Sequence, residues 1–406
     1  MLAFDGRPVG GHRHRHREEA GGAMKTTAIP LSDPDITTAE LEALNAVLSS
    51  PRLSAGPAVE AFEAAFADYT GRKYAVATSS GRLAMLLALY AHGVGPGQEV
   101  IASPFSWRET AAAIAHTGAN TLFVDIDYWS GTIVPDKVSK AVNASTYAIV
   151  AANTNGHPAA WSELREIAQE YGLVLIEDST EAIGSVYKGK KVGSFGDCAV
   201  FDFSQPGPLV CGEGGMVVTD DPDIAAALRR YRSHAPDERS SVVIGGTPAF
   251  GATMSDLSAA LGLAQLNRIE EILERRKRIE HWYAKSVQSF EGIKPPYIGP
   301  DVDEVHWFLF LVHLGTRFTR SSCEAIVEDL RTENVEAAIY SSPMHLQRYY
   351  LDKGYRKGDF FVTEKVADRA VALPFHIHLT EEQISFLVST MKDASINVGA
   401  GAAIYL

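Results

Sequence analysis

The chain reads as an α/β protein: a large domain on a mostly parallel mixed sheet, then a smaller C-terminal α/β domain. Three observations predict it. Short apolar runs alternate with helical patterns between Tyr74 and Tyr171. One run, Leu173-Val174-Leu175-Ile176-Glu177-Asp178, reads as a buried strand that delivers a carboxylate at its C-terminal end. A stretch from Phe201 to Gly215 (Phe201-Asp202-Phe203-Ser204-Gln205-Pro206-Gly207-Pro208-Leu209-Val210-Cys211-Gly212-Glu213-Gly214-Gly215) links two further apolar runs, Cys198 to Phe201 and Met216 to Thr219. Strands that are apolar throughout belong to a sheet covered on both faces.

The elements follow in order. Residues 1–28 are expected to be a disordered extension. It carries His12-Arg13-His14-Arg15-His16-Arg17, whose arginines oppose a bound cation, and translation could also start at Met24. The fold begins at Ile29. Thr37 and Glu40 have the spacing of a capping box ahead of a helix that lines up Leu41, Leu44, Val47 and Leu48. A second helix covers Val59 to Tyr69. Strands are expected at Tyr74 to Ala77, Glu99 to Ile101, Asn120 to Asp125 and Ala148 to Ala152, with helices at Leu83 to Ala91, Trp107 to His116 and Ser162 to Tyr171. One long helical pattern from Asp256 to Val287 joins the large domain (29–275) to the small one (276–406). The small domain should hold a strand at Trp307 to His313, a helix at Ser321 to Thr332 and a loop from Ser341 to Tyr350.

Composition narrows the function. A chain of 406 residues with 46% hydrophobic and 21% charged residues suits a globular protein of more than one core. A net charge of −13 and the lack of a basic stripe argue against a nucleic-acid partner. Cys198, Cys211 and Cys323 form no CxxC pair, so neither a disulfide framework nor a metal site is expected, and a cytoplasmic location is the simple reading. No apolar run is long enough to span a membrane. No GxGxxG follows the first strand, which disfavours a dinucleotide fold.

The Glu177-Asp178 strand end, the segment Ala182 to Ser194 and the Phe201 to Gly215 stretch together resemble the DegT/DnrJ/StrS family, over about Ile29 to Leu379. That family comprises sugar-type aminotransferases of fold type I, which use pyridoxal phosphate (PLP). The resemblance implies a homodimer with the site between subunits. It implies that Asp178 pairs with the pyridine nitrogen, that Trp107 stacks on the ring, and that the Ser80-Gly81-Arg82 turn cradles the phosphate at a helix N-terminus. A cap for Asp178 and a core position for Trp107 are the alternative readings. Several positions depart from the family pattern. Gly207 stands where the Schiff-base lysine is expected, Asp202 where a phosphate-binding Ser is expected, and Arg82 where a Thr is expected. Glu181 replaces a Gln, Gly251 an Asn and Thr253 an Arg.

Transamination needs the lysine both as the aldimine partner and as the base that moves the Cα proton. The expectation is therefore an enzyme that has kept the pocket without PLP and works on a small-molecule substrate of sugar or antibiotic type. Asp178, Glu181 and His345 are its candidate acid–base residues, and His157 is a further base candidate. Arg82 could neutralise Asp202 as a buried pair. Cys211 is either a nucleophile or a packed thiol. Two rivals stay open: non-covalent PLP or PMP (pyridoxamine phosphate) chemistry resembling a sugar dehydratase, and a non-catalytic partner in a heterodimer with an active paralogue.

Overall fold

The computed structural model describes residues 28–233, 248–288, 293–294 and 296–398. The His-Arg tract and nearly all of the expected extension lie outside the described residues.

The strands are β1 (Tyr74–Thr78), β2 (Glu99–Ala102), β3 (Asn120–Phe123), β4 (Thr146–Ala152), β5 (Val174–Asp178), β6 (Val186–Tyr187), β7 (Lys190–Lys191), β8 (Cys198–Asp202), β9 (Gly215–Thr219), β10 (Ile293–Lys294), β11 (Val302–Glu304), β12 (Phe310–Leu314), β13 (Ala338–Ile339) and β14 (Ala370–Leu373). The helices are α1 (Thr38–Leu48), α2 (Pro57–Thr70), α3 (Gly81–Ala91), α4 (Arg108–His116), α5 (Pro135–Ala141), α6 (Trp161–Tyr171), α7 (Pro222–Arg232), α8 (Asp256–Leu266), α9 (Ile269–Val287), α10 (Arg320–Thr332), α11 (Arg348–Leu351), α12 (Phe361–Ala367) and α13 (Glu381–Asn397).

The large sheet has seven strands in the order β1-β9-β8-β5-β4-β2-β3. Pairing is parallel from β8 through β5, β4 and β2 to β3. Only β9 is reversed, antiparallel to both β1 and β8. Two apolar layers cover the sheet. Leu87, Ile114, Val150 and Val200 belong to one cluster, and Phe62, Phe66, Phe201 and Phe203 to another. This burial on both faces is why β4, β5 and β8 read as continuous apolar runs.

A four-stranded sheet, β10-β12-β14-β13, forms the smaller unit, with α10 and α13 packed together beside it. Helix α9 serves both cores. Ile269 and Leu273 join the large-domain cluster with Phe62 and Phe66, whereas Ile279, Tyr283 and Val287 pack in the small-domain one.

Two expectations change. The long helix at 256–287 is two helices, broken at Asn267–Arg268. The Arg268 guanidinium turns inward there to buried Asp35 (2.6 Å) and Glu40 (2.8 Å), an ion network that tethers α1 to the break. Glu40 meets Arg268 while also closing the capping box with Thr37. Ile29, assigned to the large domain, packs in the small-domain core. Its N–H donates to Asn334 O (2.8 Å) and its carbonyl accepts from Glu336 N–H (2.9 Å).

Candidate active site

The C-terminal ends of β5 and β8, with the turn after β1, open onto a cavity of about 550 Å³. Strand ends of an open α/β sheet are where ligands collect. The cavity is lined by Ser80, Gly81, Arg82, Trp107, Asp178 and Asp202, together with Phe308 from the segment entering the small domain. Among the described residues lining it there is no lysine.

The turn after β1 fixes one end. Thr78 Oγ1 donates to Ser80 O (2.9 Å), and Ser80 caps α3 by accepting from Leu83 N–H (3.3 Å). The helix N-terminus so formed faces Asp202 at the end of β8. Asp202 Oδ2 accepts from Gly81 N–H (2.9 Å), and its Oδ1 accepts from Ser204 N–H (2.7 Å) and the Ser204 hydroxyl. A Cβ at Gly81 would collide with the Asp202 carboxylate. Ser79 N–H is also taken, by Ala252 O (2.8 Å). An unsatisfied helix N-terminus attracts anions through its free N–H groups and dipole. Here the chain supplies the anion itself.

Arg82 does not neutralise it. Its side chain is half-exposed and pairs with Glu109 on α4, whose hydrogen bond and charge raise the guanidinium's affinity for its proton. The pair expected between Arg82 and Asp202 is thus replaced by one between Arg82 and Glu109, which links the first turn of α3 to that of α4.

The other end is aromatic and acidic. Trp107, 40% exposed, precedes α4 and meets Phe308 edge-on with ring centroids 6.0 Å apart. Asp178 is buried at the end of β5. Its carboxyl accepts from Thr110 Oγ1 (2.5 Å), Thr180 Oγ1 (2.8 Å) and Thr180 N–H (3.2 Å). Burial raises its pKa above the ordinary Asp value and the nearby Asp202 charge adds to this, against the hydrogen bonds from Thr110 and Thr180.

Glu181 is not among the residues lining the cavity. It sits behind Trp107 and accepts from the indole N–H, from Asn155 N–H (2.5 Å) and from the Tyr340 hydroxyl (2.5 Å). Burial pushes its pKa up to about 7, with Asp178 adding and the three donors opposing. Asp178 and Glu181 are each satisfied by separate donors, with no hydrogen bond between them among the described residues.

The expected histidines stand apart from the cavity lining. His345 is fully buried, with Nε2 2.9 Å from Glu364 and its ring against Phe360. His157 has both nitrogens engaged, Nδ1 with Pro158 O (2.8 Å) and Nε2 accepting from Gly299 N–H (3.0 Å). Cys211 is packed among Phe62, Phe203 and Met254, and burial pushes its thiol well above the ordinary range.

Gly207 has an ordinary backbone. A Cβ there would find its nearest neighbours at 3.6 to 3.8 Å, so nothing in the loop demands glycine. Gly251 has φ +64 and open space around it.

Several residues of the site were missed from sequence. Thr110 follows Trp107 by one helical turn and Thr180 follows Asp178 by two positions, so both were findable as partners of named residues. Phe308 and Tyr340 reach the site from the far domain, which no local pattern reveals. Glu177, beside Asp178, is a buried strut whose carboxylate accepts from Gly193 N–H (2.5 Å) and Phe195 N–H (2.9 Å).

The N-terminus of α3 is taken by Asp202, and no lysine is among the described residues lining the cavity.

The architecture, with its seven-stranded sheet of one reversed strand, is that of the fold type I PLP aminotransferases. The chain belongs to the DegT/DnrJ/EryC1/StrS aminotransferase family, whose model matches residues 34–392. Among curated relatives, it is 32% identical over 376 residues to the spore coat polysaccharide biosynthesis protein SpsC of Bacillus subtilis, covering 90% of this chain and 96% of that one. It is 32% identical over 346 residues to the GDP-perosamine synthase of Caulobacter vibrioides, covering 84% and 91%. Among solved structures, Streptococcus pneumoniae Spr1654 in its PMP form superposes with a TM-score of 0.86 at 25% identity, over 93% of this chain and 100% of that one. DesV of S. venezuelae, solved with a ketimine intermediate, gives 0.80 at 30% identity, over 88% and 94%. No helix among the described residues is long and apolar enough to cross a membrane.

Proposed function

We propose that this chain is a cofactor-free enzyme of sugar-type small-molecule biosynthesis, with Asp178 performing proton transfer on a substrate held against Trp107. The observation that carries the reading is the Asp202 carboxylate on Gly81 N–H. A phosphate brought to the same helix end would displace or face this carboxylate. Two unit charges at about 4 Å in a partly desolvated site repel by about 4 kcal/mol, roughly a thousandfold in affinity. Gly207 removes the amine that would hold a PLP aldehyde. The two departures act on opposite attachments of the same group, so each reinforces the other.

What remains can move a proton. Asp178 is the buried carboxyl that lines the cavity, and its raised pKa brings its protonation toward working pH. Thr110 and Thr180 hold its orientation, while Trp107 and Phe308 offer apolar faces to a sugar ring. The relatives' names, which concern a spore coat polysaccharide and GDP-perosamine, support a sugar-derived substrate.

The test is deuterium incorporation. The purified protein is incubated in D₂O, without added cofactor, with a panel of keto-sugars and nucleotide sugars, and products are weighed by mass spectrometry. A mass change that Asp178→Asn abolishes supports the reading. Turnover unchanged in Asp178→Asn, or turnover only after PLP or PMP is added, refutes it.

A further inference from the structure

Glu181 joins three parts of the molecule. Trp107 comes from the loop before α4, Asn155 from the turn after β4, and Tyr340 from the loop after β13 in the smaller unit. Asn155 passes the contact on. Its carbonyl accepts from Phe308 N–H (3.3 Å) and its Oδ1 from Leu309 N–H (2.9 Å), placing the second aromatic wall of the cavity. Both rings that line the cavity therefore hang on one carboxylate.

All three partners of Glu181 are donors, which suits an ionised carboxylate, an acceptor only. Oε1 serves the Trp107 indole, and Oε2 serves Asn155 and Tyr340. A proton on Oε1 would point at the indole N–H, which cannot accept. The tyrosine hydroxyl could reverse its role, but the indole and the amide cannot.

We propose that Glu181 is a positioning residue: ionised, it latches Trp107 as the wall of the cavity, and a proton on Oε1 unlatches the indole. The groups facing it bear on the pH at which this happens. Asp178, from β5, is the titratable acid whose charge raises the Glu181 pKa, and Tyr340 faces it as a neutral donor. Burial places the transition at about 7. Taken up on Oε1, the proton opens the latch as pH falls; taken up on Oε2, where the Tyr340 hydroxyl can turn to accept it, it would leave the indole held, and the pH profile of Trp107 separates the two. The inference stands whether or not the cavity takes a cofactor.

The chain holds five tryptophans, so the Trp107 signal is obtained by subtracting a Trp107→Phe variant. Acrylamide quenching of that signal is followed from about pH 5.5 to about pH 8.5, with far-ultraviolet circular dichroism as a fold control. Trp107 should become more accessible as pH falls through about 7. The transition should vanish in Glu181→Gln and move to lower pH in Asp178→Asn, where the repelling charge is gone. A wild-type profile without a transition, or a transition that persists in Glu181→Gln, overturns the proposal. Should Glu181→Gln fail to fold, the wild-type profile and the direction of the Asp178→Asn shift decide it.

Discussion

At one end of the cavity the N-terminus of α3 is closed by Asp202; at the other, Trp107, Asp178 and Phe308 surround open space. Both ends stand on the same sheet, at neighbouring strands β8 and β5. The closed end is satisfied by the chain's own carboxylate. The open end keeps a buried acid and aromatic walls. Under the proposed function, a single carboxylate at a helix end changes which ligands a shared framework admits, while the end that holds Asp178 does the acid–base work.

The largest expected effect lies at the open end. Asp178→Asn should lower the rate of deuterium incorporation by about 10²- to 10⁴-fold, the usual contribution of a positioned acid or base. A smaller loss would shift the chemistry to another group. At the closed end, Asp202→Ala removes the acceptor for Gly81 N–H and should cost about 0.5–2 kcal/mol, as loss of a helix cap does. The vacated site should then bind inorganic phosphate, seen as a rise in Tm that the wild type does not show. An equal phosphate response in the wild type would mean that the end is not closed.

Glu181 gives a pH signature. Its pKa is raised from 4.5 to about 7 on folding, so between those values the folded chain holds a proton that the unfolded chain has lost. The wild type should therefore lose stability relative to Glu181→Gln as pH rises through that window, and the difference should level off above it. Denaturant midpoints at several pH values check the sign. The smallest effect is expected for Arg82→Ala. Arg82 is half-exposed and paired with Glu109, so its loss should change stability by less than about 1 kcal/mol.

Much of this was legible in the sequence. The apolar runs marked β4, β5 and β8 because strands buried on both faces cannot alternate. Asp178 and Trp107 were found because strand ends and family-like spacing placed them. The geometry of Asp202 was not legible: its residue type signalled a change, but only the fold shows it accepting from Gly81 rather than pairing with Arg82. His345 looked usable because a loop position says nothing of burial; in the fold it is enclosed by Glu364 and Phe360. Glu181 reads in the sequence as a second acid, whereas its three donors, all distant in the chain, place it behind Trp107.

The most direct test is cofactor retention. Wild type, Asp202→Ser, Gly207→Lys and the double variant are incubated with PLP or PMP, gel-filtered and scanned in the visible and near-ultraviolet. No cofactor absorbance should remain on the wild type. The double variant should retain PLP, because the backbone at Gly207 has room for a side chain and a serine in place of Asp202 would free the helix end. Stoichiometric retention of PLP or PMP by the wild type would contradict the account, and would make this chain a non-covalent user of its family's cofactor.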